Sequence, residues 1–222
     1  MCKLKSAIIL KDRIFMPDYD SHSDMLTELG ITDDYLGATK KFVRAELSPE
    51  NNDVFSDIDS WVFNVDQDIT PEWFSEEEYK PKMVEAVKEW AKAHIHIGID
   101  GLKINAGANH YIKDCKNVEI CGSATVDYIC GSATVDYICD SATVKNICGS
   151  ATVKNIYGSA TVDYIYGSAT VISSPYTKWR NAESLIISDN ATFKDDYGKV
   201  IYQSGKYKLI EVESGKKVGN LK

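Results

Sequence analysis

Apolar residues recur at a fixed nine-residue period through the middle of the chain. From Ile120 the sequence reads ICGSATVDY, ICGSATVDY, ICDSATVKN, ICGSATVKN, IYGSATVDY and IYGSATVIS. Within one unit Ala133 and Val135 flank Thr134, which is strand alternation with two side chains inward and one outward. These β-branched segments lack the 3.6-residue period of a helix. The pattern therefore predicts one short strand in each nonapeptide.

The charges after each valine indicate how the copies stack. One nonapeptide cannot bury its own apolar face, and two together make a coil of about eighteen residues. The charged positions are Asp127, Asp136, Lys145, Lys154 and Asp163. A nine-residue coil would stack like charges, whereas an eighteen-residue coil makes every adjacent pair opposite. We therefore predict a parallel β-solenoid over about 104–193, with worn copies near 102–108 and 187–193.

The same register stacks cysteines. Cys121 falls on Cys139 and then Tyr157, and Cys130 falls on Cys148 and then Tyr166. The distance between coils is within disulfide range. Because the same positions accept tyrosine, we interpret these rows as semi-buried packing ladders of reduced thiols. The nine-residue cysteine spacing is not that of a zinc site.

The SAT triplets should turn their serine and threonine outward, which gives two flat faces with hydroxyl rows. The candidate binding residues on these faces are Thr125, Thr134, Thr143, Thr152, Thr161 and Thr170. The rows resemble the Thr-x-Thr rows of insect-type ice-binding solenoids but lack the second threonine. The unit is also similar to calcium-binding nonapeptide β-rolls, but the Gly-Gly-x-Gly-x-Asp loop is absent and no calcium is expected. The repeats further resemble GSATV-type nonapeptide arrays of uncharacterised bacterial and phage-encoded solenoid proteins, which implies a fold and no activity.

The segment before the repeats has the pattern of a small α+β domain. Ala7–Leu10 and 14–16 should form a hairpin, and Ser21 should cap a short helix that stops at Gly30. Strands are predicted at 42–47 and around Trp61, Phe63 and Val65. Ser75 should cap one turn of helix, and Pro81 should begin a new helix that packs on the sheet.

Composition divides the chain into three parts. The 222 residues carry a formal net charge of −8, and residues 1–100 alone hold 21 acidic and 11 basic residues. We predict an acidic α+β head at 1–100, the solenoid at 101–195, and a C-terminal β cap with a basic tail at 196–222. The acidic head disfavours direct nucleic-acid binding. The lysine-rich tail has the charge to bind the head of another copy, which would give a homo-oligomer.

Two polar clusters are candidates for chemistry. His22 lies among Asp18, Asp20 and Asp24, a set that could act as an acid–base or cation site but also fits the capping acids of a helix. The pair His94 and His96 with Asp100 could ligate a metal, but its position at a helix end favours a structural role. No nucleotide-binding, hydrolase or metalloprotease motif occurs. We therefore assign no catalytic residue, no metal and no cofactor, and keep His22, Asp20 and Asp24 as candidate binding residues.

The sequence favours a non-enzymatic interaction or scaffold protein with a protein partner. Two alternatives stay open: a phage-encoded inhibitor that uses the acidic head against a host protein, and an enzyme with a site near His22. No leader and no apolar run of about 20 residues is present, so we expect a cytoplasmic protein without a membrane span.

Overall fold

The computed structural model describes residues 4–32, 41–173, 186–195, 199–204, 206–213 and 216–218. The chain forms two compact units, Met1–Ala93 and His94–Lys222. None of the helices in the described ranges combines the length and the apolar character needed to cross a membrane.

The first unit is built on a four-stranded antiparallel sheet with the order β2-β1-β3-β4. Its strands are β1 (Lys5–Leu10), β2 (Ile14–Phe15), β3 (Phe42–Ser48) and β4 (Val62–Val65). Two short 3₁₀ turns, Glu50–Asn52 and Ile58–Ser60, lie between β3 and β4. The predicted hairpin is confirmed, and its turn is closed by a 2.8 Å bond from the Leu10 amide to the Arg13 carbonyl.

Helix α1 (His22–Glu28) begins and ends where the sequence predicts. The Ser21 hydroxyl accepts a hydrogen bond from the Asp24 amide at 3.3 Å, which satisfies one of the free donors of the first turn. Gly30 follows the helix with φ +65°, a conformation that glycine adopts without steric cost.

The two faces of this sheet carry different layers. Ile8 and Phe42 share one face and pack with Met25 and Leu26 of α1 in a buried cluster. Lys5 points to the opposite face, where its Nζ lies 5.1 Å from the centroid of the Trp90 ring. Trp90 belongs to the second helix, so each face of the sheet is covered by one helix.

Helix α2 (Glu76–His94) is continuous, so the prediction of a separate first turn followed by a new helix at Pro81 is wrong. Proline fixes φ near the helical value and removes one amide donor, whose acceptor would be the carbonyl of Glu77. Glu77 lies in the exposed first turn, where water can take that role. The helix therefore continues through Pro81. Its residues Met83 and Val87 are fully buried.

The second unit is a parallel β-solenoid with about eighteen residues per coil, as predicted. One sheet contains β5 (Ile95–Ile97), β7 (His110–Lys113), β9 (Thr125–Cys130), β11 (Thr143–Ile147), β13 (Thr161–Ile165) and β15 (Ile186–Ile187). The other contains β6 (Lys103–Ile104), β8 (Val118–Ile120), β10 (Thr134–Ile138), β12 (Thr152–Val153), β14 (Thr170–Ser173) and β16 (Thr192–Asp195). Successive nonapeptides thus alternate between two sheets, and each pair completes one coil.

The register of the strands fixes the coil length. Ile129 pairs with Ile147, and Ile147 with Ile165, which is a step of eighteen residues. The step is seventeen from Ile112 to Ile129 and twenty-two from Ile165 to Ile187. The last step includes residues 174–185, which lie outside the described residues.

Alanine, valine and isoleucine from both sheets fill the centre of the solenoid. Ala133, Val135 and Ile138 are fully buried, and the equivalent positions of the other SATV repeats are no more than 3% exposed. The residue before each SAT triplet has a positive φ. This position is glycine in most copies and aspartate at Asp140 and Asp189, which is consistent with the preference of aspartate for this region among non-glycine residues.

The C-terminal strands extend one of the two sheets in antiparallel order. They are β17 (Lys199–Ser204), β18 (Lys206–Glu213) and β19 (Lys216–Val218). Strand β17 pairs with β16, the last strand of that solenoid sheet, and β18 and β19 follow as a meander.

Candidate functional site

The six threonines predicted as a binding surface form two rows, one on each solenoid sheet. Thr125, Thr143 and Thr161 are in register on the first sheet. The register on the second sheet joins Thr134, Thr152 and Thr170, and Thr192 continues that row. The serines of the SAT triplets are exposed and the alanines between them are buried. The outward orientation of serine and threonine is therefore as predicted.

Some of these hydroxyls also bond within the solenoid. Thr161 Oγ1 lies 3.3 Å from Thr143 Oγ1, and Thr134 Oγ1 accepts a hydrogen bond from the Asn117 amide at 3.3 Å. Five of the six threonines are half-buried and Thr161 is exposed. The rows consequently serve the stacking of coils and also present a repeating polar surface.

Charged and aromatic rows run beside the threonines. Lys145 Nζ lies 2.7 Å from Asp127 Oδ1, and Lys154 Nζ lies 2.6 Å from Asp136 Oδ1. Next to them, Asn146 is paired in register with Tyr128 on one side and Tyr164 on the other. Tyr128 and Tyr164 are among the exposed large apolar residues. Each coil thus repeats the same order of hydroxyl, charge and aromatic or amide groups.

One cysteine row contains a disulfide. Cys121 and Cys139 are bonded, with a Cα–Cα distance of 4.7 Å, so the expectation of reduced thiols is wrong for this pair. It is correct for Cys130 and Cys148, which are free thiols one coil apart on the equivalent row. The stacking of coils brings cysteines one coil apart within disulfide-bonding distance in both rows. The nonapeptide pattern alone therefore does not show which row forms the disulfide.

The free pair is polarised by its hydrogen bonds. A hydrogen bond from Cys130 and a second from Tyr166 stabilise the Cys148 thiolate and lower the pKa of Cys148 to about 7. The same bond, together with burial, raises the pKa of Cys130. Cys148 is therefore the more nucleophilic thiol of the pair.

The cluster of acids predicted around His22 is divided by the structure. Asp20 Oδ1 is 3.0 Å from Lys5 Nζ, a fully buried lysine, and accepts a hydrogen bond from the Ser6 amide at 3.2 Å. Asp24 is exposed, and its amide serves the cap of α1. Asp20 thus neutralises a buried cation, and neither acid belongs to the group that His22 joins.

His22 instead meets two acids from other strands. Its Nδ1 lies 3.4 Å from Asp66 Oδ2, and its Nε2 lies 3.2 Å from the Ala45 carbonyl oxygen. Single ligand atoms of His22, Glu46 and Asp66 all lie within 4.8 Å of one another. His22 and Glu46 are each 5% exposed. No pattern in the sequence marks Glu46, because its place beside His22 depends on how α1 packs over β3.

The second histidine pair gains a third histidine rather than Asp100. His96 Nε2 is 3.4 Å from His110 Nδ1, and His94 stacks on His110 with ring centroids 5.4 Å apart. Asp100 accepts a hydrogen bond from the Asn117 side chain at 2.8 Å. Burial, with the neighbouring rings of His110 and His94, lowers the pKa of His96 to about 4. The trio is a stacked cluster of buried histidines at the first coils of the solenoid.

Comparison with known proteins gives no match: no family model, no curated protein and no solved structure corresponds to this chain.

Proposed function

We propose that this chain is a non-enzymatic interaction protein whose rigid solenoid displays repeating polar rows to a protein partner. The observation that carries this proposal is the register of the outward threonines on both sheets. Because parallel coils lie about 4.8 Å apart, the same side chain recurs at a constant spacing along the rod. Such a surface suits a partner that offers its own regularly spaced groups, such as an extended strand or a second repeat array.

Rigidity is the second support for this function. The core of the repeats is fully buried alanine, valine and isoleucine, and each coil is bonded to the next by backbone hydrogen bonds. A surface that is ordered before binding loses little conformational entropy when the partner arrives. The lysine–aspartate ion pairs along the rows would add selectivity for the charge of the partner at the rim of such an interface.

The partner we propose is a protein rather than a nucleic acid. The chain has 33 acidic and 25 basic residues, and the solenoid rows pair lysine with aspartate. Nucleic-acid binding needs unpaired, clustered cations. The paired rows do not offer them.

Photo-crosslinking in cells tests the proposal. A photoreactive residue would replace Ser141 in one chain and Ser150 in another, since both serines are exposed and precede strands of opposite sheets. A third chain would carry it at Lys82, an exposed position of α2 in the head. We expect a discrete protein adduct from one or both solenoid positions and none from Lys82. Adducts only from Lys82, or from no position, would contradict a solenoid interface.

A further inference from the structure

We infer that Cys130 and Cys148 form a thiol–disulfide exchange site that is oxidised by low-molecular-weight disulfides such as oxidised glutathione. Cys148 is the attacking thiol, and Cys130 resolves the mixed disulfide that results. The two residues are free, half-buried thiols at equivalent positions of consecutive coils. The inference goes beyond the proposed protein partner of the solenoid and does not depend on it.

The backbone holds the free pair in the same register as the disulfide-bonded pair. The Cys148 amide donates a 2.8 Å hydrogen bond to the carbonyl of Ile129, the residue before Cys130. A bond of the same length joins the second cysteine of the disulfide to the residue before the first. In that pair the Cα atoms of Cys121 and Cys139 are 4.7 Å apart, which lies in the range of disulfides. The free thiols can therefore bond without a change of register.

The tyrosine that comes next in each row distinguishes the two pairs. In the row of the disulfide, Tyr157 is 39% exposed, and its ring centroid lies 5.9 Å from that of Tyr137. In the row of the free pair, Tyr166 is half-buried and donates a hydrogen bond to Cys148. Burial and this bond raise the pKa of Tyr166, so its phenol keeps the proton that it donates. The free pair thus contains a donor that stabilises a thiolate.

The hydrogen bonds prepare Cys148 to attack a disulfide. Bonds from Cys130 and Tyr166 lower the pKa of Cys148 to about 7, so about half of this thiol is ionised at neutral pH. Exchange is fastest when the attacking thiol has a pKa near the ambient pH. Bonds that stabilise the thiolate also stabilise the reduced pair, which makes its disulfide easier to reduce. We therefore expect a reversible pair in this row and a structural disulfide in the other.

The exchange takes place in two steps. The Cys148 thiolate attacks one sulfur of the small disulfide, whose sulfur–sulfur bond breaks, and one small thiolate leaves and takes a proton from water. Cys130 then gives its proton to water, and its thiolate attacks Cys148 Sγ and releases the second small thiolate, which is also protonated. The two cysteines are oxidised to a disulfide, and the small disulfide is reduced to two thiols.

The first step also activates Cys130. Its hydrogen bond to the Cys148 thiolate is the largest cause that raises the pKa of Cys130, ahead of burial. This cause disappears once Cys148 carries the small thiol, because no thiolate is left to hold the proton. Of the nearby charges, Lys113 favours the Cys130 thiolate and Asp114 opposes it. Cys130 is therefore a weak nucleophile before the first step and a stronger one after it.

Peptide mapping of the full chain tests the inference. Trypsin places Cys148 in peptide 146–154, and Cys130 with the existing disulfide in peptide 117–145. The chain would be equilibrated with mixtures of reduced and oxidised glutathione, alkylated in acid with a maleimide, and digested without reductant. We expect oxidised glutathione to join the two peptides through Cys130 and Cys148, and reduced glutathione to separate them again.

Variants separate the two steps. Cys130→Ser should keep a glutathione adduct on Cys148, and Cys148→Ser should form neither the adduct nor the joined peptide. Tyr166→Phe should raise the pH midpoint of Cys148 alkylation from about 7 toward about 8.5, the usual value of a free cysteine. The matched control is Tyr157→Phe, at the equivalent position of the other row, which should leave this midpoint unchanged.

Four results would each overturn the site. The first is the absence of a joined peptide at every ratio of the two glutathione forms. The second is a wild-type chain that keeps the adduct on Cys148, because Cys130 would then not resolve it. The third is a joined peptide that reduced glutathione does not open, which would make the pair a second structural disulfide. The fourth is an equal alkylation midpoint in Tyr166→Phe and Tyr157→Phe, which would remove the basis for Cys148 as the attacking thiol.

Discussion

Lys154 directs its ammonium group to the carboxylate of Asp136, eighteen residues earlier, with 2.6 Å between Nζ and Oδ1. The pair joins two consecutive coils on the same sheet. It confirms that two nonapeptides make one turn, because a nine-residue coil would have placed Lys154 above Lys145.

Reversing one charge of this pair should weaken the stack. Lys154→Glu places a carboxylate beside Asp136, and we expect the free energy of unfolding of the solenoid to fall by about 1 kcal/mol. The effect is small because half of the Lys154 side chain is exposed and water screens it. Urea unfolding at low salt measures the change. The exchanged pair, Asp136→Lys with Lys154→Asp, should recover most of it, and equal stabilities of wild type and Lys154→Glu would contradict the ladder.

A methyl group at Gly149 should be tolerated poorly. Its added Cβ would lie 2.9 Å from the backbone N and O of Gly131 in the preceding coil, and Gly149 has a φ of +65°. Gly98 has nearly the same φ, +66°, with nothing within 4 Å of the added Cβ. We expect Gly98→Ala to cost about 1 kcal/mol from φ alone, and Gly149→Ala to cost at least 1 kcal/mol more from the clash.

Thermal unfolding of both alanine variants measures that difference, and equal losses would show that the coils separate to admit a side chain. Gly149→Asp adds a further comparison, since Asp140 occupies the equivalent turn and accepts a hydrogen bond from the Gly122 amide at 3.0 Å. It should be less destabilising than Gly149→Ala.

The disulfide between Cys121 and Cys139 should stabilise the solenoid against unfolding. It closes a loop of 18 residues, for which chain-entropy models give about 3 kcal/mol. Cys121→Ser should lose this contribution, and a reductant should then have no further effect. Cys148→Ser is the matched control, because Cys148 occupies the equivalent position of the other row as a free thiol. Denaturant unfolding with and without reductant checks the prediction; a wild type indifferent to reductant would refute it.

Acid should destabilise the solenoid through His96. Burial lowers the pKa of His96 to about 4, so the folded ring stays neutral while the unfolded ring takes up a proton below about pH 6.5. The unfolded chain therefore binds more protons over this window, and stability is lost as the pH falls from about 6.5 to about 4. The contribution is at most about 3 kcal/mol.

His96→Phe separates this effect from that of the carboxylates, whose protonation also destabilises in acid. The variant retains a buried ring and removes the titration, so its stability should decline less between about pH 7 and about pH 4.5. Urea unfolding at both pH values provides the measurement. If wild type and His96→Phe lose the same free energy of unfolding, the acid sensitivity comes from groups other than His96.

The solenoid was predictable because its information is local and repeated. Ala133 and Val135 identify the inward face within one nonapeptide, and the signs of Asp127, Lys145 and Asp163 identify the register between copies. The helix break predicted at Pro81 is absent, because the cost of a proline depends on whether solvent can reach the carbonyl that it leaves without a donor. That exposure is a property of the folded helix.

The candidate site in the head was only half predictable. His22 was singled out from neighbouring acids in the sequence, but its partners Glu46 and Asp66 come from separate strands. Glu46 is one of several acids in the segment, and burial is what distinguishes it. Burial in turn depends on α1 covering β3, a contact between residues far apart in the chain. The disulfide was missed for a related reason: tyrosine at the same positions suggested packing, and the two cysteine rows have identical spacing.

The eighteen-residue coil restricts how such an array can lengthen or shorten. Strands of consecutive nonapeptides belong to opposite sheets, so gaining or losing one nonapeptide would carry everything after it to the other side of the rod. The antiparallel meander that begins at β17 would then continue the wrong sheet, and loss of the unit that contains Lys145 would stack Asp136 on Asp163. Gain or loss of two units changes only the length of the rod. Duplication events that survive in this gene should therefore involve even numbers of nonapeptides.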